Sequence, residues 1–205
     1  MQTEAHLLNP VESPLQAAEP GWLDQLMQPR LMLFWGAHAP TRTLLAALTT
    51  MAAHGHAPRV LDGGNRFDGY FVARLACQWS LPQGPRMDPH AILNRIWLSR
   101  AFTCFQMAEL IENTPARSEP LLVLDLLATF YDESVPLRDS ERLLATTIAH
   151  LKRLACVGPV IVGAREPRSL VKERWTLLDR LQIAADRAWL LRAPQTDQPM
   201  QPKLF

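Results

Sequence analysis

Short apolar runs alternate along this chain with longer stretches in which apolar residues return every three or four positions. Residues 31–35, LMLFW, predict a strand that ends at Gly36, and the Ala- and Leu-rich stretch 42–54 predicts a helix stopped by Gly55. A second strand is expected at 59–62, RVLD, closed by Gly63 and Gly64. Residues 67–79 follow, with Phe67, Phe71 and Leu75 near helical spacing. A third strand is expected over 91–98 and a helix over 102–113, closed by Pro115. The run 121–127 is the clearest buried strand. The stretch 138–156 is the clearest helix, with Leu143, Leu144, Thr147, Ile148, Leu151 and Leu154 on one face. Residues 159–163 and 186–191 supply two more strands. Continuously apolar strands separated by helices predict an α/β fold: a mostly parallel central sheet with helices on both faces. No internal repeat interrupts this order.

The two ends break the pattern. Residues 1–30 carry Pro10, Pro14, Pro20 and Pro29 with weak periodicity and read as an N-terminal arm. Within it Trp22, Leu23, Leu26 and Met27 form one short amphipathic turn, expected to dock on a core spanning 31–192. Residues 193–205 hold three prolines and three glutamines and predict a flexible tail. A chain of 205 residues, 48% apolar, is long enough for one substantial core. Its net charge of +1 provides no global basic field, so any nucleic-acid contact needs a local patch. Cys77, Cys104 and Cys156 match neither a disulfide framework nor a zinc spacing, and a reducing cytoplasm is the expected compartment. No apolar run is long enough to span a bilayer and no signal-peptide pattern opens the chain, so no membrane partner is expected.

At the first strand-to-helix junction the sequence reads Gly36-AHAP-Thr41-Arg42-Thr43, which keeps the spacing of the phosphate-binding motif Gly-x-x-x-x-Gly-Lys-Ser/Thr. That motif works through converging backbone N–H groups, a Lys on the terminal phosphates and a hydroxyl on Mg²⁺. Gly36 and Thr43 are kept. Pro40 has no N–H to contribute, and Thr41 puts a β-branched side chain where the second glycine lets phosphate approach. Arg42 brings a broad planar fork to a place suited to a compact ammonium.

Together with three further stretches, this junction resembles the core ATPase domain of the RecA/RadA recombinase family. RVLDGGNRF (59–67) is similar to the family's second strand, usually ending Asp-Thr-Glu-Gly/Asn-x-Phe. SRAFTCFQMAELI (99–111) resembles the run Ala-Arg-Ala-Phe/Tyr-Asn-x-x-His-Gln and keeps Arg100, Ala101, Phe102 and Gln106. The stretch 121–155, LLVLDLLATFYDES followed by SERLLATTIAHLKRLA, resembles the Walker B strand, the segment after it and the Glu-Arg that opens the next helix.

The resemblance implies a RecA-like P-loop NTPase core without the family's N-terminal helical domain. It implies that Asp125 is the Walker B carboxylate and that Thr43 and Asp125 would hold any Mg²⁺. The family's general base, a Glu, falls at Gly64, and glycine cannot orient a water. Asp62 matches a structural Asp, and Asp68 lies on the following helix. No catalytic residue and no resident cofactor or metal are therefore expected. Gly36, Thr41, Arg42, Thr43 and Asp125 form a vestigial nucleotide site suited at most to weak ATP–Mg binding.

Recombinases contact DNA through loops after the Walker B strand and after the next one. The first candidate here, 131–140, carries Asp132, Glu133 and Asp139 against Arg138, and an acidic loop repels phosphate. The second, 165–180, reads as helical and holds Arg165, Arg168, Lys172 and Arg174 beside Trp175, a candidate single-stranded DNA grip. The chain ends Gln201-Pro202-Lys203-Leu204-Phe205. This resembles the bacterial sliding-clamp-binding pentapeptide, approximately Gln-Leu-Ser/Asp-Leu-Phe, with Gln201, Leu204 and Phe205 at the matching positions. The expected function is that of a non-catalytic RecA-like accessory protein in DNA repair, recombination, the SOS response or translesion synthesis. Its partners would be a recombinase, a paralogue, a polymerase accessory subunit or the sliding clamp. The alternatives are a small RecA/RadA-like protein with weak DNA-dependent ATPase activity and a single-stranded DNA binder.

Overall fold

In a computed structural model, which describes residues 6–7, 20–78, 88–167 and 172–191, the apolar runs assemble into one sheet. Its strands are β1 (His6–Leu7), β2 (Leu31–Gly36), β3 (Arg59–Asp62), β4 (Trp97–Arg100), β5 (Leu121–Leu124), β6 (Val160–Arg165) and β7 (Arg187–Leu190). They lie in the order β1-β7-β2-β6-β5-β3-β4, and each pair is parallel. Six strands make the central sheet, and β1 adds two residues along β7 at one edge.

The helices are α1 (Pro20–Leu26), α2 (Thr41–Ala53), α3 (Gly69–Gln78), α4 (Pro89–Leu93), α5 (Cys104–Asn113), α6 (Leu137–Ala155) and α7 (Trp175–Ala184). Successive strand residues point to opposite faces, and the two faces have separate cores. Met32, Phe34, Val60, Leu122, Leu124 and Ile161 pack with α1 to α4. Leu31, Leu33, Leu61, Val123, Val160 and Val162 pack with α5, α6 and α7. Crossovers leading from β2 toward β4 carry their helices on the first face, and those returning from β4 toward β7 carry theirs on the second. A uniform crossover hand requires that arrangement. The result is an α/β fold of the Rossmann-like or P-loop type.

Several elements differ from the sequence pattern. The strand expected over 91–98 divides into α4 and β4. Asp88 caps α4 by accepting from the His90 amide at 3.0 Å, and Pro89 at the first position favours helix. The strand begins only where the Trp97 amide reaches the Pro58 carbonyl. The strand expected over 121–127 stops at Leu124, because Asp125 takes φ 50° and ψ 54°, and a 3₁₀ turn, Leu126–Ala128, follows. The helix expected from 67 starts at Gly69. Strand β6 runs on to Arg165, and among the described residues of the expected helical stretch a 3₁₀ turn, Lys172–Arg174, leads into α7. Strand β1, within the N-terminal arm, has no counterpart in the pattern reading.

The amphipathic turn at 22–27 belongs to α1, where Leu23 and Leu26 are buried. Trp22 meets the Phe34 ring edge-on at 6.5 Å, and the other side of that cluster is closed by Trp189 stacked on Phe34 at 4.7 Å. Among the described residues no helix is long and apolar enough to cross a membrane.

Candidate functional site

Parallel α/β sheets bind ligands at the carboxyl ends of their strands, where neighbouring loops depart to opposite faces. Here that point lies between β2, which leads into α2 on one face, and β6, which leads toward α7 on the other. A cleft of about 400 Å³ opens there, lined by His38 and Thr41 after β2, Arg66 after β3, and Arg165 and Glu166 at the end of β6.

The loop after β2 has the place of a phosphate loop, but one of its amides is turned inward. Gly36 ends the strand, yet its lack of a side chain serves packing: a Cβ there would collide with the Leu191 carbonyl oxygen. The Leu191 amide in turn donates to the Trp35 carbonyl at 2.7 Å, so the close approach belongs to the β2–β7 pairing. The Thr41 amide, the first of α2, turns back to the Ala39 carbonyl at 2.7 Å instead of facing the cleft. Pro40 caps the helix without a side-chain hydrogen bond. Arg42 is exposed and Thr43 half-buried on the first turn of α2.

The carboxylate expected to hold a metal is occupied from within. Asp125, at the end of β5, is fully buried. Its Oδ2 accepts from Arg66 Nε at 3.1 Å, and Arg165 Nε lies 3.6 Å from the same oxygen. Oδ1 is buried with no hydrogen-bond partner. The turn after β3 is shaped to deliver Arg66: Asp62 accepts from the amides of Arg66 and Phe67 at 2.8 and 2.9 Å, and Arg100 Nε lies 3.6 Å from it. Gly64 is a packing requirement of the same turn. A Cβ at this position would stand 2.8 Å from both Cβ and Oδ2 of Asp125, so the side chain of a general base has no room. Arg165 is fixed at its main chain as well, since Tyr131 donates its hydroxyl to the Arg165 carbonyl at 2.9 Å. Burial, helped by the nearby Asp125 charge, pushes the Tyr131 hydroxyl above the usual tyrosine range.

A magnesium ion does not fit these residues as they stand. Two guanidinium groups already sit on the oxygen that would bind it. Among the described residues no group of three or more His, Cys, Asp or Glu side chains is gathered to hold a metal.

Two arginines and the tryptophan of the basic segment 165–180 are committed inward. Arg174 is buried: Nη1 donates to the Phe130 carbonyl at 2.6 Å and lies 3.3 Å from Ser140 Oγ, and Nη2 donates to the Val135 carbonyl at 2.7 Å. It is a clamp between the start of α7 and the segment leading into α6, buried rather than presented to a phosphate backbone. Trp175 packs against the core and Arg165 belongs to the Asp125 cluster. Lys172 lies on the 3₁₀ turn before α7, while Arg168 lies outside the described residues, as do Gln201, Leu204 and Phe205.

Pattern reasoning missed Arg66, because nothing local distinguishes it from any basic residue after a strand. The adjacent Gly63 and Gly64 were the only sign that something packs tightly there. It also missed the exposed apolar side chains around β4. Trp97, Phe102 and Phe105 are 68%, 74% and 57% exposed, and Leu98 joins them. No protein-family model and no curated protein matches the chain.

Proposed function

We propose that this protein is a non-catalytic, RecA-like accessory module that works by protein–protein contact in DNA repair, recombination or translesion synthesis. The observation that carries the contact is the β4 edge of the sheet. Strand β4 pairs with β3 on one side only, and its other side has no strand partner among the described residues. Trp97 and Leu98 on the strand, Phe102 just after it and Phe105 on the first turn of α5 are all exposed. A free edge flanked by large apolar side chains is an aggregation hazard unless a partner covers it. Extended segments add to such edges through main-chain hydrogen bonds, with side-chain pockets giving selectivity.

The absence of catalysis rests on the site. The space for a general base is filled, the metal carboxylate is paired with arginines, and the first amide of α2 is turned away. The order of the four recombinase-like stretches and their placement on a parallel sheet support the family reading. In it, Gln201, Leu204 and Phe205 supply a second contact, with a sliding clamp.

The test is co-elution of the full chain with a recombinase of the same cell, and separately with its clamp. A complex with the recombinase that is lost in Trp97→Ser/Phe102→Ser is the expected result. Unchanged elution in every mixture sinks the proposal.

A second reading, a loosely held nucleotide, is favoured only by the cleft beside Arg66 and Arg165. Calorimetric titration with ATP–Mg²⁺ separates the two: saturable binding weakened by Arg66→Gln supports the nucleotide, and no heat supports the contact module.

A further inference from the structure

Asp125 is a buried acid that the surrounding protein satisfies at one oxygen only. Its carboxylate is wholly buried, its backbone sits in the left-handed region at φ 50°, and Oδ1 lacks any partner. Burying an unneutralised carboxylate is strongly unfavourable, so the ionised form needs a counter-charge. Arg66 and Arg165 provide it, both through Nε and both at Oδ2. Neither guanidinium is bidentate, and that geometry leaves the second oxygen bare. Their side chains remain about a third exposed, 37% and 29%, so they keep part of their hydration while neutralising the acid.

We propose that Arg66 and Arg165 together replace a divalent cation on Asp125. They tie the carboxyl ends of β3, β5 and β6 into one closed arrangement that needs neither metal nor nucleotide. Asp125 is then a latent cation ligand: Oδ1 has no hydrogen bond from the protein, and Oδ2 is released once the guanidiniums are gone. The steric fit of Gly64 against the same carboxylate belongs to this arrangement, since any side chain there would push Asp125 off the two arginines. The inference deepens the non-catalytic reading of the site. It is independent of the partner, so a failed co-elution leaves it standing and a failed cation test leaves the β4 edge standing.

The test is thermal unfolding of the full chain with Mn²⁺ or Mg²⁺, against KCl of equal ionic strength and without nucleotide. Wild type is expected to show no cation-specific shift. Arg66→Gln/Arg165→Gln keeps hydrogen-bond donors but removes both charges. It is expected to melt lower and to regain several degrees with millimolar Mn²⁺, saturably, with the gain abolished by adding Asp125→Asn. If the double variant is unfolded alone, recovery of its native circular dichroism on adding Mn²⁺ is the supporting result. A saturable cation shift in wild type that Asp125→Asn removes would overturn the proposal. So would the absence of any cation response in the double variant and in both single variants.

Discussion

Gly64 and Tyr131 are the residues at which the charged cluster becomes measurable one side chain at a time. At Gly64 even a methyl group meets Asp125 at 2.8 Å, and the neighbour is a buried carboxylate held by Arg66. Gly64→Ala should therefore lower stability by about 1–3 kcal/mol, the usual range for overpacking, read as a fall in the urea midpoint. Gly64→Glu, which places an acid where the recombinase pattern has one, should cost more and yield no ATPase activity above background. Tyr131 gives a pH signature. Its folded pKa is raised, first by burial and then by Asp125, while the unfolded tyrosine titrates near about 10. Below that pH both states hold the proton and the stabilisation is complete. Above it the unfolded chain loses the proton first, so stability falls as pH rises. Tyr131→Phe should lose about 1 kcal/mol at neutral pH with its hydrogen bond, yet show a flatter alkaline limb above about pH 10 in denaturant titrations.

At the scale of elements, three partnerships hold the site's frame: α1 on the Phe34 cluster, the glycine turn after β3 on β5, and α7 on α6 through Arg174. The last is the most exposed to mutation. Arg174→Ala leaves the Phe130 and Val135 carbonyls without their donor and empties a buried site. A loss of about 2–5 kcal/mol is expected, the cost of leaving two buried carbonyl acceptors without a donor and a cavity beside them. Arg174→Lys should recover only part of it, because an ammonium cannot span acceptors placed for a fork. Urea unfolding curves compare the two. If Arg174 were instead a DNA contact, the alanine variant would keep its stability and lose only binding.

At the scale of the whole molecule, the sheet divides the core into two layers. Cys104 lies buried in the α5–α6 layer, while Cys77 and Cys156 are exposed. Burial also raises the Cys104 thiol above its ordinary range, which keeps it protonated as well as inaccessible. A thiol reagent should label two cysteines quickly in the native protein. The third should react at a rate that follows global unfolding and rises with urea. Three fast thiols would mean that the α5 layer opens independently of the rest.

The sequence by itself determined the alternation of strands and helices and the parallel, two-faced sheet. Strands buried on both sides must be apolar along their length, and α2 and α6 carry their burial in their spacing. It also located the junction after β2 and the acid at the end of β5. What it could not decide was anything set by partners distant along the chain. The pairing of His6–Leu7 with β7 depends on residues far away at 189 and 190. The division of 91–98 into helix and strand depends on a single Asp88 cap and on where Pro58 lies. Gly36 reads as a phosphate glycine until Leu191 is seen against it, and Arg174 reads as a surface charge until Phe130 and Val135 are. Most of all, Asp125 reads as a metal ligand in sequence. Only the tertiary fold brings Arg66 and Arg165 from two other strand ends onto the same oxygen. Local pattern fixes which atoms are polar; packing alone fixes which of them meet.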